Sequence, residues 1–429
     1  MTRILQLSQA LKHHFTLDPR TLSFLARFIV ALIDKRTVNL ALLGNTLNPS
    51  VKGESNQRRA SRFLTRDASW RLALSSWLLS FYPDHVTLAV DRTEWKFGLT
   101  PINLLVIAVV HNGFAFPILW CHLGKAGSSN SAEVTTLLEK LRVILNAQSV
   151  LVLMDREFAS RTLLEWLRGA NWDFDLRLKC SALVRYRDHT HRVERYFIDL
   201  AKGHGCWLKR KVTVYGVKVF VVAFKPLEPT EDGDECVYVV TNRAPSAAMD
   251  FYRQRWTIEN LFAALKTRGF NFEDSHITNA AKLENLLGVL CLAAFWAVQL
   301  GELIARCQPI KRQAHGRRGV SVFRLGLDAS ERLMRFDAPV LKGQCCVWDD
   351  ALRLMSGTYR LMHLFFDNTF QSHSRPRTLP ATPATPPAST PCPKTPAAPP
   401  PTLSTASPAA SSPTPTPIQS DYTRVRSMA

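Results

Sequence analysis

The sequence predicts an α/β protein: a mixed sheet covered by helices, preceded by a basic helical unit and followed by a tail that builds no core. Three observations carry this reading. Residues 85–180 alternate runs rich in β-branched and aromatic residues with amphipathic stretches. Residues 1–80 show helical periodicity together with an excess of cations. From Arg375 the composition collapses into Pro, Ser, Thr and Ala, with 15 of the 25 prolines between 376 and 417, so residues 375–429 are expected to be a disordered tail.

The bulk properties bound the function. A chain of 429 residues is long enough for two or three units. The net charge of +19 and a pI near 9.8 call for a polyanionic partner, nucleic acid or an anionic membrane surface. Nine scattered cysteines without a CxxC pair suit free thiols in a reducing cytoplasm. The N-terminus, MTRILQLSQALKHHF, shows no signal-peptide pattern. The run LLGVLCLAAFWAVQLGELIA from Leu286 is near the minimum length for a membrane span. It contains Gln299 and Glu302 and stands alone, so it is expected to be a buried core helix, with no membrane partner.

The elements follow in order. Residues 1–80 are expected to form a helical DNA-binding domain, with helices over LSFLARFIVALIDK and TVNLALLGNTL. After the break NPSVKGES comes a helix bearing Arg58, Arg59, Arg62 and Arg66, the second half of a candidate helix-turn-helix. A solvated basic helix is the plain alternative. HVTLAVDRTEW, INLLVIAVVHNG and FAFPILWCHLG are three consecutive strands; then come helix SAEVTTLLEKLRVIL, strand SVLVLMDREF, helix SRTLLEWLRGAN and strand WDFDLRLKC. That order, three strands, helix, strand, helix, strand, is the RNase H-like arrangement, so 81–180 reads as the first part of such a core. Residues 181–245 are a β-rich insertion, 246–330 the second part of the core, and 331–374 a C-terminal helical region.

Two acids stand out. Asp91 follows HVTLAV and Asp155 follows SVLVLM, so each is delivered at or near the end of an apolar strand. A buried carboxylate needs a cation or a metal. The stretch FYRQRWTIENLFAALKTRG from Phe251 reads as one helix ended by Gly269. Tyr252, Arg255, Glu259 and Lys266 lie on it at offsets of three, seven and fourteen. At about 100° per residue they fall within roughly 60° of one another, a narrow polar stripe. Alone, such a stripe is a solvated ion-pair face. With Asp91 and Asp155 from neighbouring strands, Glu259 completes three oxygen ligands suited to Mg²⁺ or Mn²⁺, two ions clamping a phosphoryl transfer. Arg255 and Lys266 are then expected to hold phosphates rather than protein carboxylates, and Tyr252 to bond a phosphate or stack on a base.

The residues Asp91-Arg-Thr93-Glu-Trp95, Asp155-Arg-Glu-Phe158 and Tyr252-x2-Arg255-x3-Glu259-x6-Lys266 resemble the DDE transposases of the insertion-sequence-four family, and the last matches that family's Tyr-Arg-Glu-Lys signature. The resemblance covers roughly residues 35–330. It implies an RNase H-like core with a β-rich insertion before the Glu, and a metal-dependent cut-and-paste reaction freeing a 3′-OH. It makes Asp91, Asp155 and Glu259 the catalytic, metal-binding triad, and places Tyr252, Arg255 and Lys266 on DNA near the cut. It also implies a homodimer on two element ends and a bacterial cytoplasmic setting. Members that cut through a DNA hairpin hold a flipped base with a tryptophan of the insertion; the only one here is Trp207, of which core packing is expected. Two other readings share these residues: a nuclease or resolvase on the same fold, and a catalytically inactive DNA-binding derivative.

Overall fold

The structure is a computed structural model that describes residues 3–145, 148–314, 318–335, 349, 351–353, 355–356 and 422–424. The chain divides into two compact units, Met1–Val150 with Gln254–Thr378, and Leu151–Arg253 with Leu379–Ala429.

The first unit opens with five helices: α1 (Arg3–Lys12), α2 (Pro19–Lys35), α3 (Leu40–Leu47), α4 (Gly53–Leu64) and α5 (Ser69–Leu79). Their starts are written locally. Asp18 caps α2 through the Thr21 N–H with Pro19 at the first turn, and Asn39 caps α3. A meander follows: β1 (His85–Phe97), β2 (Thr100–His111) and β3 (Phe114–His122), all antiparallel. Asn112 and Gly113 join β2 to β3 in two residues, both at positive φ, as a tight right-twisting hairpin requires. α6 (Ser131–Ile144) starts on a capping box between Asn130 and Glu133.

The rest of this unit is helical: α9 (Thr257–Leu265), α10 (Ala280–Cys307) and α11 (Val322–Arg335). α10 is the Leu286 helix. It is long and apolar enough to cross a membrane, but 89% of its apolar window is buried inside the protein, so it is the core helix the sequence predicts. Each fully buried Leu along it contributes about 1.5–3 kcal/mol. Its acid, Glu302, is satisfied by His111 Nε2 at 3.0 Å and Asn112 at 3.0 Å. The N-terminal helices pack on α10 and α11 rather than forming a separate body. Asn285 bonds the carbonyls of Leu64 and Arg66, Arg71 pairs with Glu284, and Arg36 pairs with Asp328 and Glu331.

The second unit holds β4 (Ser149–Met154) from Leu151 on, α7 (Arg161–Gly169) and β5 (Asp173–Leu178), then β6 (Leu183–Tyr186), β7 (His189–Arg192), β8 (His204–Leu208), β9 (Val212–Val214), β10 (Val217–Lys225) and β11 (Val237–Thr241), and closes with α8 (Ala248–Arg253). β4 and β5 are parallel, as a strand–helix–strand crossover demands. β11 then pairs antiparallel with β5, and β10 with β11, so strands of the 181–245 segment extend the β4–β5 sheet instead of standing apart from it. Of the 375–429 tail only Tyr422–Arg424 is described, as strand β12 beside β8. The rest of that tail, and most of 331–374, lie outside the described residues.

A candidate active site of carboxylates held by arginines

In the first unit, β1 carries Asp91. The strand does not end there, as the sequence suggested. Pairing with β2 continues to Phe97 opposite Thr100, so Asp91 lies mid-strand, opposite Val106. Its Oδ1 accepts the Arg92 backbone N–H at 2.8 Å. Its Oδ2 accepts a hydrogen bond from Arg255 Nη1 at 2.9 Å, and Arg255 Nη2 donates to Glu259 Oε1 at 2.7 Å. One guanidinium thus joins two carboxylates that are far apart in the chain. The Arg255 side chain is only 7% exposed, against 18% for Asp91 and 41% for Glu259, so the fork is covered while Glu259 keeps an open side.

The helix carrying these groups is not continuous. α8 ends at Arg253, a 3₁₀ turn spans Gln254–Trp256, and α9 runs from Thr257 to Leu265. At the junction the Thr257 hydroxyl donates to the Gln254 carbonyl at 2.8 Å, a back-bond that helices also accommodate. The single helix to Gly269 is therefore corrected, and so is the uniform stripe. α9 starts with Glu259 in its first turn and turns Ile258, Leu261, Ala264 and Leu265 to the core.

Lys266, at the end of α9, forms an ion pair with Glu273 at 2.7 Å and lies 5.5 Å over the Trp95 ring. Arg255 and Lys266 thus both have carboxylate partners within the chain, contrary to the sequence expectation.

In the second unit, Asp155 directly follows β4, as predicted. Its Oδ1 accepts from the Tyr252 hydroxyl at 3.2 Å. Tyr252 stands on a cluster of Val222, Val239, Ala248 and Met249, against which Trp207 packs. That is the core role expected of Trp207. Beside Asp155 sits a residue the sequence reading missed. Arg177 on β5 is 7% exposed and lies 3.5 Å from Asp155, 3.0 Å from Asp232 and 2.6 Å from Asp234. Arg156 also pairs with Asp234. Burial acts against the Arg177 charge, but Asp155, Tyr252, Asp234 and Asp232 outweigh it and hold the guanidinium above its ordinary pKa. The available signal was WDFDLRLKC itself: Asp173, Asp175 and Arg177 alternate with apolar residues, and the polar face is covered rather than solvated. Trp256, 58% exposed beside Arg255, was likewise not singled out.

Within the N-terminal helices, α3 and α4 form a pair across the turn at 48–52. The Asn56 amide bonds the carbonyls of Gly44, Asn48 and Val51, and a Cβ on Gly44 would stand 2.5 Å from the Gly53 carbonyl oxygen, so only glycine permits this approach. α4 buries Asn56, Ala60, Phe63 and Leu64, which leaves Arg58 and Arg62 on the outward face. Arg59 instead lies 4.8 Å over the Phe24 ring. Arg66 falls beyond the end of α4, near Asp18 at 3.5 Å, so the helix expected to bear four arginines carries three, with Arg58 and Arg62 outward. Two histidines have structural partners: His111 bonds Tyr82 and Glu302, and His276 stacks on Phe97. Among the described residues, no cluster of three or more His, Cys, Asp or Glu is gathered as a metal site.

The family model of the transposase DDE domain matches residues 82–296, just over half of the chain. The chain belongs to the DDE transposase family. Asp91, Asp155, Tyr252, Arg255, Glu259 and Lys266 all lie within the matched span, whereas Arg58, Arg59, Arg62 and Arg66 precede it. Among solved structures, the transposase is similar to a cryo-EM structure of the piggyBac transposase synaptic complex with hairpin DNA. The identity is 12% over 82% of each chain, with a TM-score of 0.38, a distant likeness. No curated protein matches the chain.

Proposed function

We propose that this DDE transposase performs metal-dependent cut-and-paste transposition of an insertion sequence of the insertion-sequence-four type, with Asp91, Asp155 and Glu259 as its catalytic triad. The observation that supports this best is the Arg255 fork. It bonds Asp91 of β1 and Glu259 of α9 at once, so two of the three acids serve one cationic group. The donor chemistry fits a hard divalent ion, because all three candidates are carboxylates and Asp91 and Glu259 already neutralise a cation. Mg²⁺ or Mn²⁺, as two ions, would be held by these acids and would supply charge stabilisation at the attacking and leaving oxygens.

The remaining work falls to the chain. Tyr252 and Arg177 orient Asp155 through its carboxylate. Arg255 and Lys266 carry the charge that grips phosphates beside the cut. Arg58 and Arg62, outward on α4, contact the duplex that marks the element end, with Arg59 and Arg66 flanking them. The active species is a homodimer, because two ends must be cut and joined together. The same site without end recognition or joining is a nuclease or resolvase, and the same fold without cleavage is an inactive DNA-binding derivative.

The test is incubation with Mg²⁺ and DNA carrying the sequences that flank the gene. The parent is expected to release the ends and join them to a second DNA, and Glu259→Gln to do neither, a loss of at least about a hundredfold. Nicking without joined product favours the nuclease. Binding without any cleavage favours the inactive derivative.

A further inference from the structure

We infer that Arg255 is an exchangeable counter-cation: its guanidinium occupies the Asp91–Glu259 pair in the DNA-free protein and gives that pair up only when a DNA phosphate takes its place. The inference rests on the triad reading and goes beyond it, by coupling metal entry to DNA.

The geometry points this way in four steps. Arg255 spends both terminal nitrogens on the two carboxylates, at 2.9 and 2.7 Å. Its side chain is 7% exposed, so the guanidinium is covered while its partner Glu259, at 41%, stays reachable from solvent. A guanidinium cannot lose its proton at any working pH, so it leaves the acids only by moving. While it stays, the pair presents one net negative charge instead of two, which weakens its hold on a divalent cation.

The backbone allows the movement. Arg255 sits in the 3₁₀ turn Gln254–Trp256, where the helix ladder is interrupted, and not inside α8 or α9. Its alternative partner has the right chemistry: a phosphate accepts the same two-pronged donor as a carboxylate pair. Phosphate arrival therefore frees the acids at the moment the metal is needed, and by linkage DNA and metal strengthen each other's binding. A transposase with this device leaves its acids capped until DNA is in place.

The experiment is Mn²⁺ titration of the full-length protein, followed by the electron paramagnetic resonance signal of free Mn²⁺, with and without a random-sequence duplex. Arg255→Gln is expected to bind Mn²⁺ at least about tenfold more tightly than the parent without DNA, because the competing charge is gone. Arg255→Lys, which keeps the charge, is expected to stay near the parent. DNA is expected to tighten Mn²⁺ binding to the parent and to change Arg255→Gln little. Equal or weaker Mn²⁺ binding by an Arg255→Gln that is still folded, shown by a single cooperative melt, overturns the inference, as does an Arg255→Lys that tightens as much as Arg255→Gln. Glu259→Gln separates the two layers: if, with the duplex present, it binds Mn²⁺ as tightly as the parent does, the triad assignment itself has failed.

Discussion

The transposase holds its candidate catalytic acids with two arginines of opposite character. Arg255 lies in a 3₁₀ turn between two helices and bridges two acids, one of them 41% exposed. Arg177 lies within strand β5 and is surrounded by Asp155, Asp232 and Asp234. Pairing with β11 runs through Arg177, opposite Val239, and pairing with β4 holds the strand up to Leu176, so the backbone that carries Arg177 is fixed. An arginine with three carboxylates on a paired strand is an anchor. An arginine at a helix break, with a half-open partner, is suited to exchange. The difference teaches that equal ion-pair distances do not imply equal roles; the backbone beneath the side chain and the exposure of its partners decide.

Stability measurements can break this contrast. Arg177→Met leaves three acids around a vacated, covered position and is expected to cost about 3–5 kcal/mol. Arg255→Gln is expected to cost only about 1–2 kcal/mol, because Glu259 regains water. Urea unfolding of both variants checks this, and a larger loss for Arg255→Gln would reverse the assignment of anchor and exchanger.

A third arginine–acid pair sharpens it. Asp175, two residues before Arg177 on β5, is fully buried with Arg243 at 2.7 Å. Burial pushes its carboxyl up to about 6 from the ordinary 3.8, although Arg243 and Thr241 act to lower it. Here one arginine does not offset burial. Because the folded-state pKa lies above the unfolded one, this group favours the fold below about pH 4 and loses that contribution as pH rises through about 6. Asp175→Asn is therefore expected to gain on the parent by up to about 3 kcal/mol between those limits, read as melting temperature against pH. A gain that does not grow with pH would contradict the burial argument.

Smaller effects follow. Tyr252→Phe keeps the ring on its apolar cluster and removes the hydroxyl at Asp155, costing about 1 kcal/mol of stability. Its cleavage rate is expected to fall by roughly tenfold if that hydrogen bond orients the acid. Cleavage at the parent rate would leave the orientation of Asp155 to Arg177. Smallest is the contrast on α4. Arg58→Ala and Arg62→Ala should each reduce the salt slope of DNA binding by about one, while Arg59→Ala, stacked on Phe24, should change it less.

Much of this was legible in the sequence. The order of strands and helices from 85 to 180 follows from alternating and continuous apolar runs, and the core character of the Leu286 helix from its polar residues and isolation. Asp91 and Asp155 were legible as candidates because acids after apolar runs are costly, and Glu259 because its helical spacing aligns it with Tyr252, Arg255 and Lys266. The helix break at Gln254–Trp256 was not, since the spacing of polar and apolar residues runs through it without interruption. Nor was the anchoring of Arg177, whose partners Asp232 and Asp234 come from a distant turn. The N-terminal helices read as a separate domain because their contacts with α10 and α11 are long-range and leave no local pattern.

The most direct test of the account compares DNA cleavage in Mg²⁺ by Asp91→Asn, Asp155→Asn and Glu259→Gln, singly and combined. Residues that act as one catalytic unit are not additive, so each single variant should be as inactive as the triple variant. A single variant that cleaves at the parent rate would show that its acid lies outside the site and would contradict the account.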